Sequence, residues 1–167
     1  ETIGICGGFI YEQKSTGDWE LNHPMDKDHI RGAFKAYSKK CFFAIGGLKQ
    51  AMGWDTVDEL LAKFHGFTTY TDPTLKIKHL RPTGNAYNPK AKRLQGEAMY
   101  TMRYGFIITC IASIKMAIKN KSLSSLLNNL EGYIDASSKK RPYIVNKQEG
   151  KFIRDLRWKN IKKKIFA

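Results

Sequence analysis

Closely spaced cysteines, long apolar runs and acidic residues in the second half are all scarce in this chain of 167 residues. The three cysteines, Cys6, Cys41 and Cys110, are odd in number and far apart. This argues against a disulfide framework and a zinc ribbon, and it predicts a reducing compartment. The apolar segment 104–118 has 15 residues and contains Lys115, whereas a bilayer span needs about 20 apolar residues. That segment therefore predicts a buried or interfacial helix.

The charge is distributed unevenly along the chain. Residues 1–72 hold eight bases and ten acids, whereas residues 73–167 hold twenty-one bases and five acids. The net charge of +14 thus comes from the second half, which predicts an anionic partner, either nucleic acid or lipid headgroups. Hydrophobic residues make up 42% of the chain, enough for a packed globule. The chain starts at Glu1 in apolar, strand-like sequence, and we expect it to be a piece of a longer protein.

The sequence pattern predicts an α+β protein. A small mixed sheet with short helices comes first, and three mainly basic or amphipathic helices follow. We expect two parts, 1–85 and 86–167. The predicted strands are 3–12, with a bulge or close backbone approach at Gly7-Gly8, then 29–37, 67–71 and 75–80. The predicted helices are 38–45, ending at Gly46-Gly47, then 55–64, 92–119, 123–137 and 147–164.

Several motifs follow one another in a fixed order. They are RGAFKAY at 31–37, AIGGL at 44–48, GWDTVDELLA at 53–62, KHLRPTG at 78–84 and EGYI at 131–134. Together they resemble the second half of the family 2 glycosyltransferases of GT-A fold, in the branch of bacterial polysaccharide synthesis. The resemblance covers nearly the whole chain and implies a partial GT-A fold.

In that family the sugar-nucleotide half, with its aspartate-rich metal motif, lies upstream. The resemblance therefore implies that this chain is the acceptor side and is inactive alone. Without that half we expect the strand 3–12 to lack its usual neighbours. An unpaired apolar strand invites pairing with another chain, so we expect homo-oligomers.

The implied reaction transfers a sugar from a nucleotide-sugar donor to a glycan or lipid-linked acceptor, with inversion. A carboxylate must then take the proton of the attacking hydroxyl. Asp55 matches the family's base position, although Trp54 stands where the family more often has Glu. Asp58, one helical turn later, is the second candidate. Asp55 could instead serve only to favour the helix dipole, and we expect Glu59 to close a capping box with Thr56.

The other candidate substrate residues each have a structural alternative. Gly46 and Gly47 would let the backbone approach sugar and acceptor, or simply stop a helix. Trp54 would stack on a sugar or pack in the core. Asp55 is expected at the mouth of a concave site, near Gly46-Gly47 and within reach of Arg31 or His79. Arg81 would contact phosphate or face solvent.

The cofactor implied by the resemblance is a divalent metal, Mg²⁺ or Mn²⁺, that offsets the charge of the leaving diphosphate. His79 is similar to the C-terminal histidine that completes this metal site in many GT-A enzymes. Most other ligands would come from the upstream half. A single histidine on an alternating strand is also compatible with a structural role.

The C-terminal segment 139–167 carries eleven bases and two acids, with Trp158 among them. A basic amphipathic helix with Trp is typical of membrane-surface or nucleic-acid binders, and a solvated charged face is the structural alternative. We expect a cytoplasmic protein, peripheral to the inner face of the cell membrane, with an anionic membrane surface as partner. A basic nucleic-acid-binding module without catalysis is the alternative function, and it rests on charge alone.

Overall fold

The structure is a computed structural model that describes residues 2–14, 16–21, 29–80 and 89–165. It confirms the α+β class, with a four-stranded mixed sheet followed by helices. The chain divides into two compact units. The first contains Glu1–Lys49 and Trp54–Ala86, and the second contains Gln50–Gly53 and Tyr87–Ala167.

The sheet of the first unit is built around its first strand. Strand β1 spans Thr2–Gln13 and pairs antiparallel with β2 (Trp19–Leu21) and β3 (Lys35–Tyr37), and parallel with β4 (Phe67–His79). Gly7 pairs with Lys35 on one edge of β1 and with Thr71 on the other. The expectation that this strand would lack neighbours is therefore wrong, and with it falls the stated reason for edge-to-edge self-association.

Gly7 and Gly8 of β1 lie at close backbone approaches, as predicted. A Cβ on Gly7 would lie 2.3 Å from the carbonyl oxygen of Phe34, and one on Gly8 would lie 2.3 Å from that of Leu75. The pairing with β4 also shifts after Gly8, so that Phe9 lies opposite Lys76. Only glycine fits where neighbouring backbone comes this near.

Strand β4 is continuous where the sequence predicts two strands. Residues 73–75 form an irregularity within it, between the pairs Gly8–Asp72 and Phe9–Lys76. The Oδ1 of Asp72 accepts hydrogen bonds from the amide (2.8 Å) and the hydroxyl (2.6 Å) of Thr74. This local turn accommodates Pro73 without ending the strand.

Two α-helices and a 3-10 turn complete the first unit. Helix α1 (Lys39–Ala44) is capped by Ser38, whose hydroxyl accepts from the amide of Cys41. Helix α2 (Trp54–Phe64) buries an apolar face at the spacing of helical turns, formed by Val57, Leu60, Leu61 and Ala62. A 3-10 turn, Gly32–Phe34, precedes β3, so only the end of the predicted strand 29–37 forms a strand.

The described part of the second unit holds four helices: α3 (Pro89–Thr101), α4 (Phe106–Lys119), α5 (Leu123–Ser138) and α6 (Lys147–Ile165). The single helix predicted over 92–119 is wrong, because the chain turns between α3 and α4. Arg103 has φ 56° and Gly105 φ 80°. The Arg103 guanidinium lies 3.5 Å from the ring centre of Tyr143, and its Nε donates to the carbonyl of Val145 at 3.0 Å. These distant contacts stabilise a backbone conformation that arginine rarely adopts.

Helices α3 and α5 pack with their backbones in close contact. A Cβ on Gly96 would lie 1.8 Å from the carbonyl oxygen of Asn129, and one on Gly132 would lie 2.0 Å from that of Arg93. These two glycines therefore set the distance between the helices. No helix in the described part of the chain has both the length and the apolar character needed to cross a bilayer.

Candidate active site

The candidate site is built on the first two turns of α2. The first turn carries Asp55, and the next carries Asp58 and Glu59 among the buried residues of the helix. Strand β3 supplies Lys35 and Tyr37, which lie on the same face because side chains alternate along a strand. Asp58 therefore contacts the side chains of Lys35 and Tyr37, which come about twenty residues earlier in the chain.

Lys35 is the centre of this buried network. Its side chain is 2% exposed, and its Nζ lies 2.9 Å from Oδ1 of Asp58 and 3.0 Å from Oε1 of Glu59. The same Nζ donates to the backbone carbonyl of Asp55. The hydroxyl of Tyr37 donates to the second oxygen of Asp58. Lys35 thus connects the sheet to three groups of α2: the carbonyl of Asp55 and the carboxylates of Asp58 and Glu59.

The pKa values of Asp58 and Tyr37 are shifted within this network. Burial raises the pKa of the Asp58 carboxyl above its ordinary value, although the hydrogen bond from Tyr37 and the charge of Lys35 act against the shift. Burial and then the hydrogen bond to Asp58 raise the pKa of the Tyr37 hydroxyl. Tyr37 therefore stays protonated and donates to Asp58 across the physiological range.

Glu59 is bound by tertiary contacts and does not close a capping box. Helix α2 begins at Trp54, so Thr56 already lies inside it. Glu59 accepts the backbone amide of Ile30 at 2.8 Å and lies 3.0 Å from Nδ1 of His29. Burial would raise the pKa of Glu59, but the hydrogen bond from His29 and the charge of Lys35 outweigh it and hold that pKa below its usual value. Conversely, the hydrogen bond to Glu59 raises the pKa of His29.

Asp55 lies at the edge of this network. Its side chain packs against the 3-10 turn, where a Cβ on Gly32 would lie 3.1 Å from the Cβ of Asp55. Arg31 directly precedes that glycine and is partly exposed, as is Asp55. The carboxylate of Asp58, by contrast, is 1% exposed and bound by Lys35 and Tyr37. Of the two candidate bases, Asp55 is therefore the one that solvent reaches.

The structure places His79 away from this network. His79 lies opposite Glu12 at the end of β1, and its Nδ1 is 3.4 Å from Oε1 of that glutamate. Lys35 pairs with Gly7, five residues earlier, which corresponds to about 16 Å along a strand. Among the described residues, no group of three or more histidine, cysteine and acidic side chains gathers where it could hold a metal ion.

The remaining predicted substrate residues have the following positions. Gly46 and Gly47 have φ of 75° and 71° and end α1, with their amides bonded to the carbonyls of Phe43 and Phe42. Trp54 is 8% exposed, so most of its ring is covered by protein. Arg81 lies outside the described residues.

The sequence interpretation missed Lys35, Tyr37, His29 and the role of Glu59. A signal was present, because Asp58 and Glu59 interrupt the apolar face between Val57 and Leu60. Acids at buried helical positions require cationic or hydrogen-bonding partners. No family model, curated protein or solved structure matches this chain.

Proposed function

We propose that the chain is the acceptor-side part of an inverting glycosyltransferase similar to family 2, and that Asp55 is its general base. The observation that carries the proposal is the arrangement at α2. An accessible aspartate stands in the first turn, beside Gly32, on a helix fixed to the sheet by Lys35. This arrangement lies within the ordered motifs that resemble the family.

In this proposal Asp55 takes the proton of the acceptor hydroxyl while that oxygen attacks the anomeric carbon. A positioned base of this kind contributes about 10²- to 10⁴-fold in rate. Asp55 stands in the first turn of α2, where the helix dipole favours a negatively charged side chain. Gly32 contributes by having no side chain to crowd the carboxylate.

Asp58 and Lys35 then act as positioning residues. Both oxygens of Asp58 are bound, one by Lys35 and one by Tyr37, and its side chain is 1% exposed, so an acceptor hydroxyl does not reach this carboxylate. Lys35 also holds the carbonyl of Asp55. The network thus fixes the backbone that carries the base, and a fixed geometry is what makes general base catalysis effective.

Donor binding belongs, in this proposal, to the upstream half. The resemblance implies a nucleotide sugar and a divalent ion, Mg²⁺ or Mn²⁺. Among the residues that the structure describes, no group of three or more histidine, cysteine and acidic side chains could hold this ion. In this proposal, most ligands of the metal come from the upstream half.

The acceptor is a glycan or a lipid-linked sugar, and the protein is peripheral to the inner face of the cell membrane. The support for this location is the charge of the second half, eighteen bases and five acids over residues 89–165. Each base held near an anionic surface contributes about 1 kcal/mol. The nucleic-acid alternative has only this same charge in its favour.

The test is a transfer assay on the chain expressed with the reading frame that precedes Glu1. A panel of nucleotide sugars is supplied with lipid-linked and oligosaccharide acceptors, and released nucleoside diphosphate and product are measured. We expect diphosphate release coupled to a product of inverted anomeric configuration, and none from the chain as printed. Absence of transfer with every donor, together with DNA binding that persists at high salt, would favour the alternative.

A further inference from the structure

Helices α4 and α5 each expose a stripe of apolar side chains, which on α5 is interrupted by the exposed Glu131. On α4 the exposed fractions are 64% for Ile107, 48% for Ile114 and 73% for Ile118. On α5 the corresponding positions, four and seven residues apart, are Leu123, Leu127 and Ile134, exposed by 69%, 60% and 56%. Side chains at these spacings lie on one face of a helix. Large contiguous apolar patches on a protein surface mark sites of interaction.

The two stripes lie on the same side of the helix pair. Phe106 packs on Tyr133, and Asn129 reaches Met116, so α4 and α5 run antiparallel. On α5 the stripe is opposite Gly132, the position that packs on α3. On α4 the stripe is about a third of a turn from the face that meets α5. We call these six side chains the α4–α5 face.

Positive charge borders this face. Helix α4 contains no acidic residue, and its Lys115 and Lys119 are exposed beside the stripe. Lys164 of α6 lies near enough to Lys115 that its charge lowers the pKa of that ammonium group. Such a concentration of unneutralised lysines favours an anionic partner.

The acidic residues of α5 do not offset this charge. Glu131 is bound by Arg93, and Asp135 is bound by Lys139 at 2.8 Å. The helical second half therefore presents an apolar surface with a cationic border. That combination is typical of elements that lie in the interface of an anionic bilayer.

We propose that the α4–α5 face docks on an anionic lipid bilayer, with the isoleucines and leucines entering the interface and the lysines meeting the headgroups. The proposal rests on the peripheral membrane location proposed above and assigns it to a particular surface. It moves the apolar contact away from α6, where Ile153 is completely buried and Phe152 and Leu156 are partly covered. A second copy of the chain is a poorer occupant, because pairing two such faces would bring their lysines together.

The experiment measures flotation of the full chain with phosphatidylcholine vesicles and with vesicles that also contain phosphatidylglycerol. The test variant carries Ile107→Gln, Ile118→Gln and Leu127→Gln, all at exposed positions. The control variant carries Phe43→Gln and Leu48→Gln, which remove exposed apolar side chains of the first unit. Circular dichroism checks that both variants fold.

We expect the wild-type chain and the control to float with the anionic vesicles, and the test variant to bind at least about tenfold more weakly. Equal binding of all three proteins overturns the assignment to this face while leaving peripheral binding intact. No binding by the wild type overturns both. A dimer in light scattering that the test variant converts to monomer, with vesicle binding unaltered, also overturns the proposal in favour of self-association. None of these results depends on sugar transfer.

Discussion

Replacing Lys35 by methionine should strongly destabilise the first unit. Its Nζ is the cationic partner of two buried carboxylates, Asp58 at 2.9 Å and Glu59 at 3.0 Å. Removing one partner of a buried ion pair costs about 3–5 kcal/mol, because the remaining charge is left unpaired in the interior. Glu59 keeps His29, so most of the loss falls on Asp58. The free energy of unfolding, measured by urea titration at neutral pH, should fall by about this amount.

The matched control is Lys40→Met, at an exposed position of α1, which should change stability by less than about 0.5 kcal/mol. The pH dependence has a definite sign. Without Lys35 the folded-state pKa of Asp58 rises further above its unfolded value, so the folded variant binds protons more readily. The difference between variant and wild type should therefore shrink as the pH falls through that raised pKa.

A second variant keeps the reasoning testable if Lys35→Met alone does not fold. Combining it with Asp58→Asn removes the unpaired charge, so the double variant should be more stable than the single one. Equal stability of Lys35→Met and Lys40→Met, or a difference that grows at low pH, would refute this account of the network.

Two further predictions concern other contacts. Gly132→Ala should lower the free energy of unfolding by about 1–3 kcal/mol, because the added methyl group would clash with the backbone of Arg93. The control is Ser137→Ala, at an exposed position. A urea midpoint that Gly132→Ala leaves unchanged would contradict the packing described. The raised pKa of His29 predicts stability that is full below the unfolded pKa and declines as the pH rises through the folded value. His29→Gln should abolish that decline. The effect should be under about 1 kcal/mol, because the pair of His29 and Glu59 is partly exposed. An unaltered pH profile of stability would argue against this pair.

Local signals predicted much of the fold correctly. Gly46 and Gly47 mark the end of α1 because their positive φ angles depend on the glycines themselves. Gly7 and Gly8 likewise predicted close backbone contacts, because a glycine inside a strand often marks such a contact. Helix α2 could be predicted because its apolar residues recur at helical spacing within the segment itself. Each of these features depends on a few neighbouring residues.

The errors arose where distant residues decide the outcome. Arg103 leaves the helical conformation because Tyr143 and Val145, about forty positions later, hold its side chain. Glu59 has capping-box spacing from Thr56, but His29 and the amide of Ile30 bind it instead. Neither partner can be read from local spacing.

The candidate site was predictable only in part. Asp55 was selected as a candidate from its place in a motif. The lysine that holds its helix was not selected, since Lys35 and Asp58 are 23 positions apart. The contact between them exists only once β3 and α2 have packed together. Buried acids on an otherwise apolar helical face were the signal that such a partner had to exist.

The most direct test of the central claim is the transfer rate of Asp55→Asn in the protein expressed with its upstream reading frame. Exposed Asp18→Asn in the loop between β1 and β2 is the matched control. The account predicts a loss of about 10²- to 10⁴-fold in kcat for Asp55→Asn, with nucleotide-sugar binding retained in calorimetry and the control unaffected. Turnover by Asp55→Asn close to that of the wild type would contradict the assignment of Asp55 as the base.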